Sequence, residues 1–385
     1  MKRILLLVTA LVLYGSLYPW QFHWRHLAAN PLWILLHAWP AMDRFAGRDA
    51  IVNLALYAPF GAICFLSMTP SRRPAARAAG TLVAAALLAA LVEMVQLFDA
   101  WRVCSLFDVV CDIAGAGIGI LLASAFPLAI SGAVRGAERS GAFRLSGAVA
   151  LLYLWAGYEL FPVFPATGLY ALRVKLAALA GAGAWTMRDL VESFGGWLAA
   201  AALLESLAGR RAVGRWIALA LLAVPLKLII VFRTATGSEA VGALLGVGAW
   251  ILVRDRRRPL LLAGVLAMAA LVAGGLLPFR LAEQAQPFTW IPFVPLLQTP
   301  WQGAVLILLR KSFLYGSAVW LFRECGYGWP ASALLVAVPL AFVEGIQIYL
   351  PGRTPESTDP ILALLLGLVL LLLELHVQEK PAEVA

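Results

Sequence analysis

Apolar residues gather in long runs at 4–20, 51–68, 80–98, 108–130, 146–162, 190–208, 216–232, 239–253, 259–277, 303–321, 329–350 and 360–377. A helix needs about 20 predominantly apolar residues to cross a bilayer. Backbone in lipid must satisfy its own hydrogen bonds. The pattern therefore predicts an all-α, polytopic helical membrane protein of about twelve spans. The run at 239–253 is short and fits a tilted or partial span. The segment Pro31 to Trp39 is too short to cross and is expected along the outer surface, and 169–184 as an interfacial or re-entrant segment. The first run follows Met1-Lys2-Arg3, and no small-x-small signal precedes Tyr18-Pro19-Trp20, so it reads as an uncleaved span.

Composition sharpens this. Of 385 residues, 62% are hydrophobic and 13% charged, against about 25% charged in soluble domains. That excludes a soluble enzyme, a disordered chain and a disulfide scaffold. The net charge of +9 could point to nucleic acid, but its distribution does not. The arginines cluster between apolar runs: Arg72, Arg73 and Arg77; Arg135, Arg139 and Arg144; Arg210, Arg211 and Arg215; Arg254, Arg256, Arg257 and Arg258. Such clusters mark cytoplasmic loops facing anionic lipid. With the N-terminus inside, 17 Lys and Arg fall on the inner side, Arg323 and Lys380 included, and 12 on the outer. Both termini are expected in the cytoplasm and the chain in the inner (cytoplasmic) membrane. Tyr18, Trp20, Trp101, Trp290, Trp301 and Tyr349 would form an outer aromatic belt. Cys64, Cys104, Cys111 and Cys325 show no C-x-x-C spacing.

A polar constellation repeats. EMVQLFDAWRVCSLFD supplies Glu93, Gln96, Arg102 and Asp108, and EGIQIYLPGRTPESTD supplies Glu344, Gln347, Arg353 and Asp359. Both read E-x-x-Q-x5-R-x5-D, with every member displaced by 251 residues. Between them Arg233 and Glu239 keep the R-x5-acid spacing, with Lys227 at the Gln position and Val224 at the Glu position. Glycines follow each acid: Gly115, Gly117 and Gly119; Gly242 and Gly246; Gly367. They allow close helix packing in lipid. Tyr14 to Pro19, Tyr158 to Pro162 and Gly275 to Phe279 close corresponding first helices, and Arg48-Asp49 before Asn53 matches Arg188-Asp189 before Ser193. The spans thus group as three parallel four-helix sets: 1–130, a degenerate middle set at 146–253, and a second clear set at 259–377.

At these residues the chain resembles the VanZ-like family of bacterial membrane proteins, named after a protein associated with teicoplanin resistance. The first set carries the whole pattern: Asn53, Tyr57, Pro59, Gly61, Glu93, Gln96, Arg102, Asp108 and Gly115. The last has Lys311 for Asn, Tyr315, and Ser317 and Val319 for Pro and Gly. The resemblance implies a cell-envelope membrane protein with a link to glycopeptide susceptibility. It implies no established reaction.

Asn53, Glu93, Gln96, Arg102, Asp108 and Asp112 are the first ligand-binding candidates, and Glu344, Gln347, Arg353 and Asp359 the secondary ones. Glu93 and Gln96 share a helix face. Asp108 sits where an N-cap is expected, and Pro59 and Gly61 are expected to break the second helix beside Glu93. Ionisable residues within spans are costly and mark a site by default, yet Arg102 could equally pair with Glu93 or Asp108 and fix the hairpin. The first set, which keeps Asn53, Pro59, Gly61 and Asp112, is expected to work while the last supports the fold. His23, His26 and His37 match no metal spacing. No Walker loop, Rossmann glycine pattern, G-x-S-x-G or H-E-x-x-H is present, so no cofactor or metal is expected. Three functions compete: a non-enzymatic factor binding a lipid-linked or anionic head group at the outer leaflet, through Arg102 and Arg353; a transporter or flippase, for which Glu159, Glu205 and Lys227 could line a path; and a membrane enzyme on a lipid-phosphate, with Glu93 as base and Arg102 as anion clamp. Membrane lipids, among them a lipid-linked envelope precursor, are the expected partners, and nucleic acid is not.

Overall fold

The computed structural model describes the backbone of the chain except residues 25, 28, 40–43, 69–72, 135–138, 162–167, 181–184, 231–232 and 380–385, and additionally omits the side chains of 44–49, 125–134, 139–146, 169, 171, 178–180 and 376–379. Arg72, Arg135, Pro162 and Lys380, and the side chains of Arg48, Asp49, Arg139 and Arg144, lie outside the described residues.

Each predicted apolar run is helical over most of its described residues. The described residues form no named strand, only two isolated bridges, Phe22 with Asp99 and Thr289 with Glu356. The chain divides into two compact units, Met1–Arg135 and Gly136–Ala385. The first holds α1 (Lys2–Ser16), α2 (Pro31–His37), α3 (Arg44–Ser67), α4 (Pro74–Gln96) and α5 (Leu106–Val134). The second holds α6 (Arg139–Leu160), α7 (Leu169–Ala180), α8 (Met187–Leu221), α9 (Ala223–Leu226) with the 3-10 turn Lys227–Ile229, α10 (Gly237–Val253), α11 (Pro259–Leu276), α12 (Val294–Gln298), α13 (Trp301–Glu324), α14 (Trp329–Gln347) and α15 (Thr358–Glu379).

Among the described residues, eight helical stretches are long and apolar enough to cross a membrane, and Gly147–Leu160 and Gly237–Val253 are shorter apolar helices. The chain is a multi-pass membrane protein. One stretch, Met187–Ile229, contains the predicted run 190–208 and most of the run 216–232. It breaks at Gly209, whose φ of 70° and ψ of 164° only glycine adopts readily. In chain order the elements fall into three series, α1–α5, α6–α10 and α11–α15, each opening with a long helix and a short one.

The second and last long helices of each series run parallel and touch. In the first unit a Cβ on Gly61 would lie 2.2 Å from the Ala116 carbonyl oxygen, and one on Gly119 2.0 Å from that of Ala58. Gly61 thus permits backbone contact between α3 and α5. It does not open space beside Glu93, and α3 runs as one helix through Pro59. The Pro59 ring is exposed, where a helix tolerates the lost backbone bond most easily. A Cβ on Gly242 or Gly246 of α10 would come within 2.4 Å of the Leu190 or Phe194 carbonyl of α8. Leu362 and Leu366 stand at the corresponding places of α15, and α13 and α15 approach far less closely. The core of the second unit is aromatic and aliphatic, with Trp197, Leu198, Phe313, Trp320 and Leu321 buried; in the first, Tyr57, Phe60, Ala85 and Ala89 play that part.

Candidate functional site

The repeated motif builds the same clasp in both units. Glu93 and Gln96 end α4, one turn apart on its buried face. The Ser105 backbone N–H donates to Glu93 Oε2 at 2.8 Å. Gln96 Nε2 donates to the Ser16 carbonyl at the end of α1, 2.8 Å away, and Arg102 Nε donates to the Tyr18 carbonyl at 2.7 Å. In the second unit the Glu356 backbone N–H donates to Glu344 Oε2 at 2.8 Å. Gln347 Nε2 donates to the Gly275 carbonyl at 3.1 Å. Arg353 donates to the Leu277 carbonyl through Nε at 3.2 Å and Nη2 at 2.6 Å, and to the Gly274 carbonyl at 2.6 Å. The Glu, Gln and Arg of each motif thus satisfy backbone groups that helix ends leave open. The clasp ties the end of the first helix to the loop between the last two. The loops at that end follow: His23 N–H donates to the Phe98 carbonyl and Gln286 N–H to that of Ile348, both at 2.8 Å.

The acid of the motif is not the helix cap. α5 starts at Leu106, so Asp108 lies in its first turn, and its N–H donates to Ser105 Oγ at 3.3 Å. Ser105 takes the capping role three residues earlier. The middle series has the full reciprocal version, in which Thr236 and Glu239 form a capping box. Asp359 likewise lies in the first turn of α15. Asp112 is buried on α5, and its carboxyl and the Tyr57 hydroxyl interact. Asn53 is half-buried on α3. Asp99, absent from the sequence candidates, is buried and accepts from the N–H groups of Gln21 at 3.1 Å and Trp101 at 2.9 Å. Between the clasp carboxylates lies Cys104, whose thiol is pushed up to about 12 by burial and by the neighbouring Glu93 and Asp108.

In the second unit the same end opens. A cavity of about 210 Å³ is lined by Arg188, Glu192, Arg310, Lys311, Tyr315, Glu344, Gln347, Arg353, Glu356 and Asp359, among apolar and small residues of α8, α11, α13 and α14. Arg188 Nε contacts Glu192 Oε1 at 2.8 Å, and Arg310 pairs with Glu192 Oε2. Lys311, at the Asn53 position, pairs with Asp359 and lies 3.5 Å from Glu356. The Tyr315 hydroxyl donates to Asp359 at 2.7 Å. Burial, Arg188 and Arg310 lower the pKa of Arg353, which lies in the loop beyond α14, against the pull of Glu192 and Glu344. The geometry brings Glu344, Gln347, Arg353 and Asp359 to one cavity. It adds four residues that sequence reasoning passed over: Arg188, Glu192, Arg310 and Glu356. Arg310 and Lys311 carried the available signal, two adjacent cations inside an otherwise apolar run.

A smaller chamber of about 50 Å³ shares Glu192 and Arg310 and reaches Tyr158, Glu159, Lys227 and Glu239. Lys227 Nζ lies 2.6 Å from Glu159 and 3.6 Å from Glu239. Glu205 belongs elsewhere. At the other end of its helix it accepts from Trp250 Nε1 at 2.8 Å and meets Arg210 and Arg254.

Comparison with curated proteins and with solved structures gives no match for this chain. The model of one family, VanZ/LLP1, matches residues 3–127. Those residues contain the whole first clasp, so the N-terminal part of this membrane protein is VanZ-like, as its motif residues imply.

Proposed function

We propose that this chain is a non-enzymatic membrane protein of the cell envelope that binds an anionic head group at the outer leaflet of the inner membrane. We propose further that it is built from three related helix series, with both termini cytoplasmic. The observation that carries this reading is the polar cavity at the clasp end of the second unit, where Arg188, Arg310, Lys311 and Arg353 converge. Guanidinium groups suit phosphate and carboxylate through their planar fork, and a charged pocket within spans is functional by default. Exposed Trp185, Phe279 and Trp290 in the loops of that end fit a belt at head-group depth. Glu, Gln and Arg are engaged with backbone groups in both sets, and the described cavity lined by the last set moves the binding reading there. The test is lipidomics of the purified protein, comparing wild type with Arg188→Gln. Selective loss of one anionic envelope lipid from the variant supports the reading; an identical lipid profile refutes it.

A transport reading has one observation in its favour, the chamber that continues from the cavity past Arg310 to Lys227 and Glu159. Movement of a fluorescent head-group lipid between leaflets of proteoliposomes, abolished by Lys227→Met in folded protein, would support it over simple binding.

A further inference from the structure

A third cavity of about 190 Å³ lies beside the polar one and shares Arg188, Arg310, Lys311, Thr354 and Glu356 with it. The two differ in character. The polar cavity is lined by four basic and four acidic side chains. The neighbouring one has three basic side chains against a single acid, Glu356. Its remaining wall is largely apolar: Phe293, Pro295 and Leu296 at α12, Ile307 and Leu308 on α13, and Leu362 on α15. Leu362 stands where glycine brings α10 against α8, so the gap between α13 and α15 is a consequence of that side chain's size. The Thr358 hydroxyl fixes the rim by accepting from the Phe293 N–H at 2.8 Å. Exposed Ile291 and Leu297 flank it.

Resting on the head-group reading above, we infer that the ligand is an anionic phospholipid carrying a hydroxyl-rich group beyond its phosphate, such as a glycosyl or glycerol phospholipid. Its apolar chain lies under α12, its phosphate on Arg188, Arg310 and Lys311, and its hydroxyl-rich group in the balanced polar cavity. Each part follows from chemistry. Arg188 and Arg310 share the single carboxylate of Glu192, and two guanidinium groups on one acid keep N–H donors for an anion that reaches them from the apolar side. The apolar wall replaces water around hydrocarbon. The balanced cavity offers donors and acceptors without net charge, which suits hydroxyls better than a second phosphate. A soluble phosphate ester would use the basic residues and leave the α12 side empty.

The experiment uses the full chain in detergent and native mass spectrometry with three probes: glycerol 3-phosphate, undecaprenyl phosphate, and undecaprenyl phosphate bearing a hexose. The expected order is hexose-bearing lipid at least tenfold tighter than bare undecaprenyl phosphate, with the soluble ester weakest. Leu296→Trp fills the α12 side and should remove tenfold or more of lipid affinity while sparing the soluble ester. Ile307→Trp provides the same test from another helix should the first variant misfold. Lipid binding unchanged in the folded Trp variants, or equal affinity for lipid and soluble ester, overturns the inference while leaving an anion site. Binding of none of the three by wild type removes the head-group reading itself.

Discussion

Lys227 pairs with Glu159 at 2.6 Å, at the two positions where Gln347 meets the Gly275 carbonyl and Gln96 the Ser16 carbonyl. The series α6–α10 thus joins α6 to the turn after α9 by a buried ion pair, where the other two series use a neutral hydrogen bond. Breaking such a pair leaves an uncompensated charge and costs about 3–5 kcal/mol. Lys227→Gln alone should therefore unfold the protein at markedly lower temperature. Lys227→Gln with Glu159→Ser rebuilds the first-set arrangement and should recover most of the loss. Thermal melts in detergent measure both, and equal destabilisation by the single and double changes would contradict the equivalence.

Arg102→Ala and Arg353→Ala remove donors from the carbonyls that end α1 and α11. An unsatisfied partly buried carbonyl costs about 1–3 kcal/mol, so folded protein in membranes should fall for both. Arg353→Ala should in addition lose the retained lipid, because Arg353 alone of the two lines the described cavity. Normal abundance of Arg102→Ala would show that its clasp is dispensable for folding.

Gly119→Ala places a methyl against the Ala58 carbonyl, whereas Gly117→Ala meets nothing within 4 Å. The first should cost about 3 kcal/mol or more through overpacking, and the second should be neutral. Expression and melting temperature of the pair test whether α3 and α5 meet backbone to backbone.

Cys104 should resist N-ethylmaleimide at pH 8 in a background where Cys64, Cys111 and Cys325 are serine. With its pKa near 12, about one thiol in ten thousand is ionised at that pH, and only the thiolate reacts. Rapid labelling of native protein would mean that the clasp opens in solution.

Single cysteines at Arg256 and Trp290 report orientation. Trp290→Cys should react with an impermeant reagent from the periplasmic side, and Arg256→Cys only after the membrane is breached. The reverse pattern would invert the topology.

The helices were legible in the sequence because lipid leaves the backbone few alternatives, and apolar runs of this length have one sensible conformation. The 251-residue repeat was legible because Glu344, Gln347, Arg353 and Asp359 stand close together in sequence, although Gln347 and Arg353 bond to the distant end of α11. Glu192 and Arg310 were not, because the pair spans 118 residues and joins two series; neither residue has a sequence neighbour that announces the other. Arg310 and Lys311 stand at the middle of the run 303–321, but nothing in that run names the acids they meet. Asp108 read as a cap because an acid opening an apolar run looks like one, until Ser105 three residues earlier takes the role.

The parallel contact of α3 and α5 sets an order on biosynthesis. Two parallel neighbours cannot be consecutive spans, so α4 must enter and turn back before the glycines of α5 can meet α3. Gln96 and Arg102 reach α1 only when that return is complete, and Glu93 receives its N–H from the residue that precedes α5. A ribosome that stalls before α5 has emerged therefore leaves a hairpin with a buried carboxylate and no donor, a species that quality-control proteases could recognise by that open acceptor.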